Sequence, residues 1–316
     1  MGGTGKGAVL ICGPTASGKS ALALELAQEF GGVIVNADSM QVYAELRIIT
    51  NRPTRADEAS APHRLYGFRR AREPYSTALW LVDVRAALDE AGREGRLPII
   101  VGGTGLYFKA LTEGLSDIPD IPDEVRARYR LLAQTEPPQA LHAELARRDP
   151  LTAARLRPTD PQRVVRALEV LEATGRPLAE WQATKQPPLL PLANAFPLTM
   201  NVDRAELYRR CDARFDAMVA EGAIEEAQAV GALGLDASLP AMRAVGLPPL
   251  IAYSRGEIAF EEAAERARTN TRNYAKRQIT WINSNFETWK HYYEKEKERT
   301  KRDATIFLQK VLTSAR

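Results

Sequence analysis

At 316 residues, with 45% hydrophobic content, 26% charged content and a net charge of +3, the chain has the size of one large or two modest domains and an ordinary globular composition. No apolar run approaches the roughly 20 residues of a membrane helix, and Met1–Gly13 has only five consecutive apolar residues, too few for a secretory leader. Two cysteines, Cys12 and Cys211, exclude a zinc site or a disulfide framework and imply a reducing compartment, so the expected location is cytoplasmic, with no membrane partner.

Residues 8–12 (AVLIC) read as a buried strand, with Cys12 as a small buried hydrophobe. The next eight residues, Gly13, Pro14, Thr15, Ala16, Ser17, Gly18, Lys19 and Ser20, fit the pattern G-x-x-x-x-G-K-[ST]. Between a strand and a helix that pattern makes a phosphate cradle from backbone N–H groups. Lys19 adds a point charge, and the Ser20 hydroxyl can ligate Mg2+. The helix continues through SALALELAQEF, and GVIVNAD is a second strand ending at Asp38. Asp38 is either a base facing the phosphate loop or a turn cap for the residues after it. YSTALWLVDVRAALDEAGREG is a helix with Ser76 or Thr77 as its cap, and LPIIVGG is a third strand running into Gly102–Gly105. Thr104 there is a turn residue or a hydroxyl that orients an incoming nucleophile.

Strands alternating with helices predict an α/β fold, a P-loop NTPase-like doubly wound parallel sheet. Ligands then sit outside the carboxyl ends of the strands, where 13–20, Asp38 and 102–105 converge. The third strand ends in glycines where a hydrolase would carry a magnesium-binding Asp, and no guanine signature occurs. The loop is therefore expected to hold a diphosphate for transfer chemistry.

From residue 117 to 196 no strand is evident, and helices are punctuated by proline-rich turns. This stretch is expected to form a helical insertion domain in a core made of 1–116 and 197–316. Within it Asp160 caps a helix with Pro161 in its first turn. Val164, Leu168 and Leu171 face a core, while Gln162 and Arg166 lie on another face. FPLTMNV is a returning strand. The helix from Asp203 has a capping box with Glu206 and an apolar stripe of Leu207, Cys211, Phe215 and Met218. Arg210 and Arg214 share a face, suited to phosphate oxygens or to solvent.

The charge is uneven: Arg266 to Arg316 holds 13 Lys/Arg and 5 Asp/Glu, a local +8 that leaves −5 elsewhere. The run YEKEKERTKRD alternates in sign and reads as a solvated helical tail. Arg266, Arg268, Arg272, Lys276 and Arg277 have no acid among them, which points to a nucleic-acid face. The competing reading is that they face acids of the core and hold the last helix down.

GPTASGKS, ADSMQVY, VGGTGLYFKAL, PTDPQRVVRALEV, RFDAMVAEG and YAKRQITW follow one another over residues 8–282. In that order they closely resemble the tRNA dimethylallyltransferases, of bacterial type because the zinc-finger extension of some eukaryotic members is absent. The resemblance implies transfer of a dimethylallyl group from dimethylallyl diphosphate to N6 of the adenosine 3′ of a tRNA anticodon, with release of pyrophosphate and no ATP hydrolysis. It implies Asp38 as the base, Thr104 as the residue positioning the amine, and Gly13 to Ser20 with Arg214 and Mg2+ around the diphosphate. Four tRNA-contacting segments are implied: Asp38, Ser39, Met40 and Gln41; Gln162, Arg163, Val164, Val165 and Arg166; Arg243, Ala244, Val245, Gly246, Leu247 and Pro248; and Lys276, Arg277, Gln278, Ile279, Thr280, Trp281, Ile282 and Asn283. The insertion would clamp the anticodon stem-loop, and the family precedent is a monomer. The chain departs from the family pattern at Arg52, where lysine is usual, at Leu247, where tyrosine is usual, and at Ile282-Asn283, where a basic residue is common. A small-molecule or nucleotide kinase, or a non-catalytic RNA-binding phosphate-loop protein, is the alternative.

Overall fold

The computed structural model describes residues 7–293 and 297–314. Met1–Lys6, the start of the N-terminal stretch weighed as a leader, and Glu294–Glu296 of the charged run lie outside the described residues. The chain divides into two compact units, one of residues up to Thr112 and from Leu189 on, the other Glu113–Pro188.

The first unit begins with β1 (Ala8–Cys12), α1 (Lys19–Phe30), β2 (Gly32–Asn36), α2 (Arg55–Ser60), β3 (His63–Arg64), α3 (Thr77–Glu94), β4 (Leu97–Gly102) and α4 (Gly105–Glu113). The second unit holds α5 (Asp123–Thr135), α6 (Pro138–Arg148), α7 (Pro150–Ala153), α8 (Pro161–Thr174) and α9 (Leu178–Ala183). The first unit resumes with β5 (Ala195–Met200), α10 (Arg204–Ala220), α11 (Ala223–Ala232), α12 (Leu247–Ser254), α13 (Phe260–Asn285), β6 (Lys290–Tyr292) and α14 (Lys297–Ser314).

The six strands form one parallel sheet in the order β3-β2-β4-β1-β5-β6. The register pairs Cys12 with Gly102 on one side and with Thr199 on the other. β1 is buried along its whole length, as a central parallel strand covered on both faces must be. Alternate residues serve the two faces. Leu10, Cys12, Val35 and Ile100 pack against Trp80, Phe108, Phe286 and Trp289. Val9, Ile11, Ile34 and Ile99 pack against Leu22 and Leu26 of α1. A third apolar cluster, with Tyr43, Phe215, Met218, Leu250 and Ala267, joins α10 to α13.

The capping signals act locally as expected. Ser76 accepts the Leu79 N–H, and Asp160 accepts the Arg163 N–H ahead of Pro161. Asp203 accepts the N–H groups of Ala205 and Glu206, but the box is only half made. The Glu206 carboxylate turns instead to Arg209 and Arg210, at 2.8 and 2.6 Å, because charge-assisted bonds to two guanidinium groups outweigh one bond to a backbone N–H. β3 and β6 are edge strands of two and three residues, too short to show a periodic pattern. α14 is less solvated than its charge pattern predicts. Ala304 is buried, and Lys301 reaches Glu25 and Glu29 of α1 at 3.5 and 3.4 Å.

The helical insertion starts and ends a few residues earlier than expected. Leu190 is the reason at the far end: it is buried in the core beside Phe108 and its N–H bonds Leu111 O at 3.0 Å. Within the second unit, Val164 and Leu168 of α8 pack with Tyr129, Leu141 and Leu145. Glu172 binds Arg128 and Arg148 there at 2.7 and 2.8 Å, which holds its carboxyl below the usual range.

Phe108 is fully buried and meets Phe286 and Trp289 edge-on. Phe108→Ala should lower unfolding free energy by about 3–5 kcal/mol in denaturant titration. Leu106→Ala, at a half-exposed position, should change it by no more than about 0.5 kcal/mol.

Candidate active site

The phosphate loop leaves β1 at Gly13, whose N–H bonds Gly102 O at 3.2 Å. A Cβ on Gly13 would lie 2.6 Å from Met200 Cβ and 2.8 Å from Ser17 Oγ, so only glycine fits there. Gly18 at φ 84° turns the chain into α1. The Thr15 N–H is held by Gln278 Oε1 at 2.9 Å, and its hydroxyl accepts a bond from Arg214. Lys19 Nζ donates to Pro14 O at 3.1 Å. Ser17 is buried and its Oγ has no partner among the described residues. Such an orphan hydroxyl within an N–H cradle suits an anion's oxygen.

Two cations are sunk here. Burial pushes the Lys19 ammonium below its ordinary value; Asp38 opposes the shift and Arg214 adds to it. Burial lowers Arg214 too, against the pull of Cys211 and Asp38. Cys12, beneath the loop, has its thiol pushed by burial up to about 12, so it stays a hydrophobe.

Asp38 follows β2 and is half-buried. Oδ1 accepts the Met40 N–H at 2.9 Å, as the turn-cap reading expects, and Oδ2 has no hydrogen-bond partner among the described residues. Asn36, absent from the residues that the sequence singles out, fixes that turn. Its Oδ1 accepts the Asp38 N–H at 2.8 Å and its Nδ2 donates to Asp38 O and Leu65 O at 2.9 and 3.0 Å. Fully buried Trp80 in turn donates to Asn36 O at 2.9 Å. Thr104 is the staple on the other side. Its Oγ1 accepts the Ser39 N–H at 2.9 Å, and its N–H bonds Ala37 O at 3.2 Å. A Cβ on Gly102 would stand 2.0 Å from Ala37 O, which is why β4 ends in glycine.

Thr15, Arg214 and the Asp38–Met40 turn border a cavity of about 240 Å³. Thr15, Asp38, Arg214 and Arg277 supply its polar side; Ile49, Phe215, Met218, Ala223 and Leu250 supply an apolar wall. Ser20 is exposed in the first turn of α1 and borders a separate cavity with Arg47 and Arg52. Among the described residues no cluster of three or more His, Cys, Asp or Glu could cage a metal. The Ser20 hydroxyl is a hard oxygen donor of the kind that a Mg2+ ion held mainly by phosphate oxygens and water would take. Arg52, which stands where the family pattern has lysine, bonds Tyr43 O and Ala44 O at 3.3 Å, and its guanidinium occupies the space above Gly67.

The segments expected to touch RNA divide by face. In 38–41, Gln41 Nε2 is spent on Thr50 O and Asn51 O, at 2.8 and 2.9 Å. In 162–166, Gln162 and Arg163 are exposed, Val165 and Arg166 are partly so, and Val164 belongs to the core. In 243–248, Arg243 and Pro248 are exposed, Arg243, Val245 and Gly246 border the cavity, and Ala244 and Leu247 are core. In 276–283, Lys276, Thr280 and Asn283 share an exposed face of α13, with Arg277 beside them. Gln278 and Ile282 are buried, Ile279 is half-buried, and the Trp281 ring fills the space over Gly105. Helical periodicity turns those side chains inward.

The basic run is not free as a whole. Arg272 bonds both Asp212 oxygens at 3.1 and 2.9 Å and Glu265 at 2.9 Å. Arg268 pairs with Asp216, and Arg266 with Glu262. Here the competing reading holds for Arg268 and Arg272, which join α13 to acids of α10. Lys276 and Arg277 have no ion-pair partner among the described residues; Arg277 lies over Tyr274 at 5.8 Å. Arg210 pairs with Glu206 at 2.6 Å.

Two family profiles match the chain: IPP transferase over residues 41–285 and isopentenyl transferase over 6–72. A tRNA dimethylallyltransferase of Bradyrhizobium sp. is 59% identical over 275 residues, 87% of this chain and 90% of that one. A tRNA dimethylallyltransferase of Nitrobacter hamburgensis is 56% identical over 87% of both chains. Among solved structures, a tRNA isopentenylpyrophosphate transferase of Bacillus halodurans superposes with a TM-score of 0.70 at 30% identity over 98% of both chains. A eukaryotic dimethylallyltransferase acting on tRNA gives 0.75 at 28% identity, over 88% of this chain and 70% of that one. With relatives more than half identical along 87% of its length and a profile spanning most of it, this chain belongs to the IPP transferase family.

Proposed function

We propose that this chain transfers a dimethylallyl group from dimethylallyl diphosphate to N6 of the adenosine 3′ of a tRNA anticodon, position 37, and releases pyrophosphate. The observation that carries the reading is the cavity where Asp38, Thr15 and Arg214 face an apolar wall. A five-carbon prenyl chain suits that wall, and a diphosphate suits the cradle and its two half-buried cations, Lys19 and Arg214. The names borne by the relatives and by the solved structures support the same reaction.

In this reading the C–O bond of the donor breaks, a C–N bond forms at N6, and the amine proton passes to Asp38. The adenine amine is a poor nucleophile, so a positioned base is needed as attack proceeds. Asn36 and Thr104 hold the Asp38 turn rigid, so little reorganisation is left for the reaction. The loop N–H groups, Lys19 and Arg214 stabilise charge growing on pyrophosphate. When bound, Mg2+ supplies further neutralisation of the diphosphate, with Ser20 as its protein ligand. The target base leaves the loop stack to reach the cavity.

On the RNA side, Lys276, Arg277, Thr280 and Asn283 offer one exposed helical face. Gln162, Arg163 and Arg166 of the second unit offer another, suited to the backbone of an anticodon stem-loop. The reading takes the enzyme to act as a monomer in the cytoplasm, where its RNA substrate is. Among the described residues no helix is long and apolar enough to cross a membrane.

Pyrophosphate release that requires both tRNA and dimethylallyl diphosphate tests the reaction; release from ATP alone would favour a kinase or hydrolase. Asp38→Ala should slow turnover by about 10²–10⁴-fold. Turnover within about tenfold of the parent would remove Asp38 as base. Arg214→Ala should raise the KM for dimethylallyl diphosphate; an unchanged KM and kcat would leave that arginine to Thr15 alone.

The ion pairs of α13 separate two kinds of charge. Lys276→Ala with Arg277→Ala should weaken tRNA binding and flatten its salt slope by about one unit for each phosphate no longer neutralised. Arg272→Ala should cost about 1 kcal/mol of stability and leave the slope unchanged. Melting and salt titration of both proteins check this, and a flattened slope in Arg272→Ala would reverse the assignment.

A further inference from the structure

Gln278 lies on α13 between exposed Arg277 and half-buried Ile279, yet its side chain is buried. Its Oε1 accepts the Thr15 N–H and its Nε2 donates to Gly103 O, both at 2.9 Å. A backbone N–H faces one end of the amide and a carbonyl the other, so one orientation of the amide satisfies both. A Cβ on Gly103 would come within 2.2 Å of Nε2. The glycine and the amide are therefore cut to each other, and no other side chain at 103 leaves Gln278 in place.

The two groups it joins belong to two neighbouring loops, one that lines the cavity with Thr15 and one that staples the cavity-lining Ser39 and Asp38 turn. Thr15 is part of the phosphate loop, and its hydroxyl takes the Arg214 bond. Gly103 immediately precedes Thr104, whose hydroxyl accepts the Ser39 N–H beside Asp38. Gly13 N to Gly102 O also spans this gap, but at the strand ends, below both loops. Among the described residues Gln278 is the side chain that hydrogen-bonds both Thr15 and Gly103, and it stands 263 residues away from Thr15.

We propose that Gln278 is a positioning residue for the transfer: it sets the spacing between the diphosphate side and the amine side of the cavity. The inference rests on the transferase reading above. Gln278 touches neither substrate. It acts through Thr15 and through Gly103, and a loop freed at that point lets the two reacting atoms drift. A misplacement of about 1 Å costs up to roughly 10²-fold in rate.

The test uses the whole chain with tRNA and dimethylallyl diphosphate. Gln278→Glu keeps the shape and the acceptor for Thr15 N–H and loses the donor to Gly103 O. Gln278→Met keeps the volume and loses both bonds. Gly103→Ala drives the amide out from the other side. All three should lower kcat at saturating substrates by about 10–100-fold, with Gln278→Glu the mildest. Equilibrium binding of tRNA should stay within about twofold of the parent. The double variant Gly103→Ala with Gln278→Met should be no slower than the slower single, because both remove the same link.

Each of the following results overturns the proposal. Weaker tRNA binding with kcat kept at saturation makes Gln278 an RNA-binding residue. A lower melting temperature with kcat per folded molecule unchanged makes it a packing residue only. Losses that multiply in the double variant mean the two sites act separately. Gln278→Glu keeps the comparison open if Gln278→Met fails to fold. The parent protein is the control for the underlying reading: if it forms no prenylated tRNA, the transferase assignment itself fails. If it does and the variants match it, only the role of Gln278 falls.

Discussion

Two half-buried cations with one half-buried carboxylate set the terms for the rest of the site. Desolvation lowers both Lys19 and Arg214, and the single Asp38 carboxylate can balance only one of the two charges. Sinking a charge without a full partner is costly, and a protein keeps such an arrangement where something else completes it. The Ser17 hydroxyl, without a partner among the described residues, and the N–H cradle lie in the same place. Under the proposed function the group that completes them is a diphosphate, which would return the stability that the two cations cost and whose departure as pyrophosphate the same charges would ease.

The parallel sheet makes that concentration possible. Every strand in β3-β2-β4-β1-β5-β6 points the same way, so the loops after β1, β2 and β4 leave from one edge. Glycines at 13 and 102 let the loops come within backbone contact of their neighbours. Short staples then remove the remaining freedom: Asn36 on the Asp38 turn, Thr104 on Ser39, Gln278 on Thr15 and Gly103. Each is a hydrogen bond between groups that are poorly hydrated, where an unmade bond is expensive. A loop held this way needs little rearrangement when the reaction comes.

α13 serves two purposes along its 26 residues. Its inner face carries Ala263, Ala267, Ala275, Gln278 and Ile282, small or shaped to the loops and core beneath. Arg268 and Arg272 tie it to Asp216 and Asp212 of α10. Lys276 and Arg277 lie beyond those ties without acidic partners among the described residues, and Arg277 borders the cavity. A basic count over the whole stretch therefore overstates what is free for a polyanion.

Local interactions were legible in the amino-acid order alone. The phosphate loop, the caps at Ser76, Asp160 and Asp203, and the buried strands all depend on residues a few places apart, so their spacing reports them. So did Asp38 and Thr104, which sit at strand ends whatever the rest of the chain does. Other features depend on pairings across long separations, and no local pattern encodes them. Gln278 looks like one more residue of an RNA-facing segment until α13 turns it toward Thr15. Arg272 looks basic and available until Asp212, 60 residues away, is found beside it. Asn36 is hidden in a strand, β3 and β6 are too short to have a period, and the reach of the core to Leu190 moves the edge of the helical insertion. Composition and spacing determine which groups are present and which local shapes they take. Which of two equally polar side chains is spent inside and which is left for a substrate is decided only when distant elements pack, because burial and partner are properties of the folded surroundings.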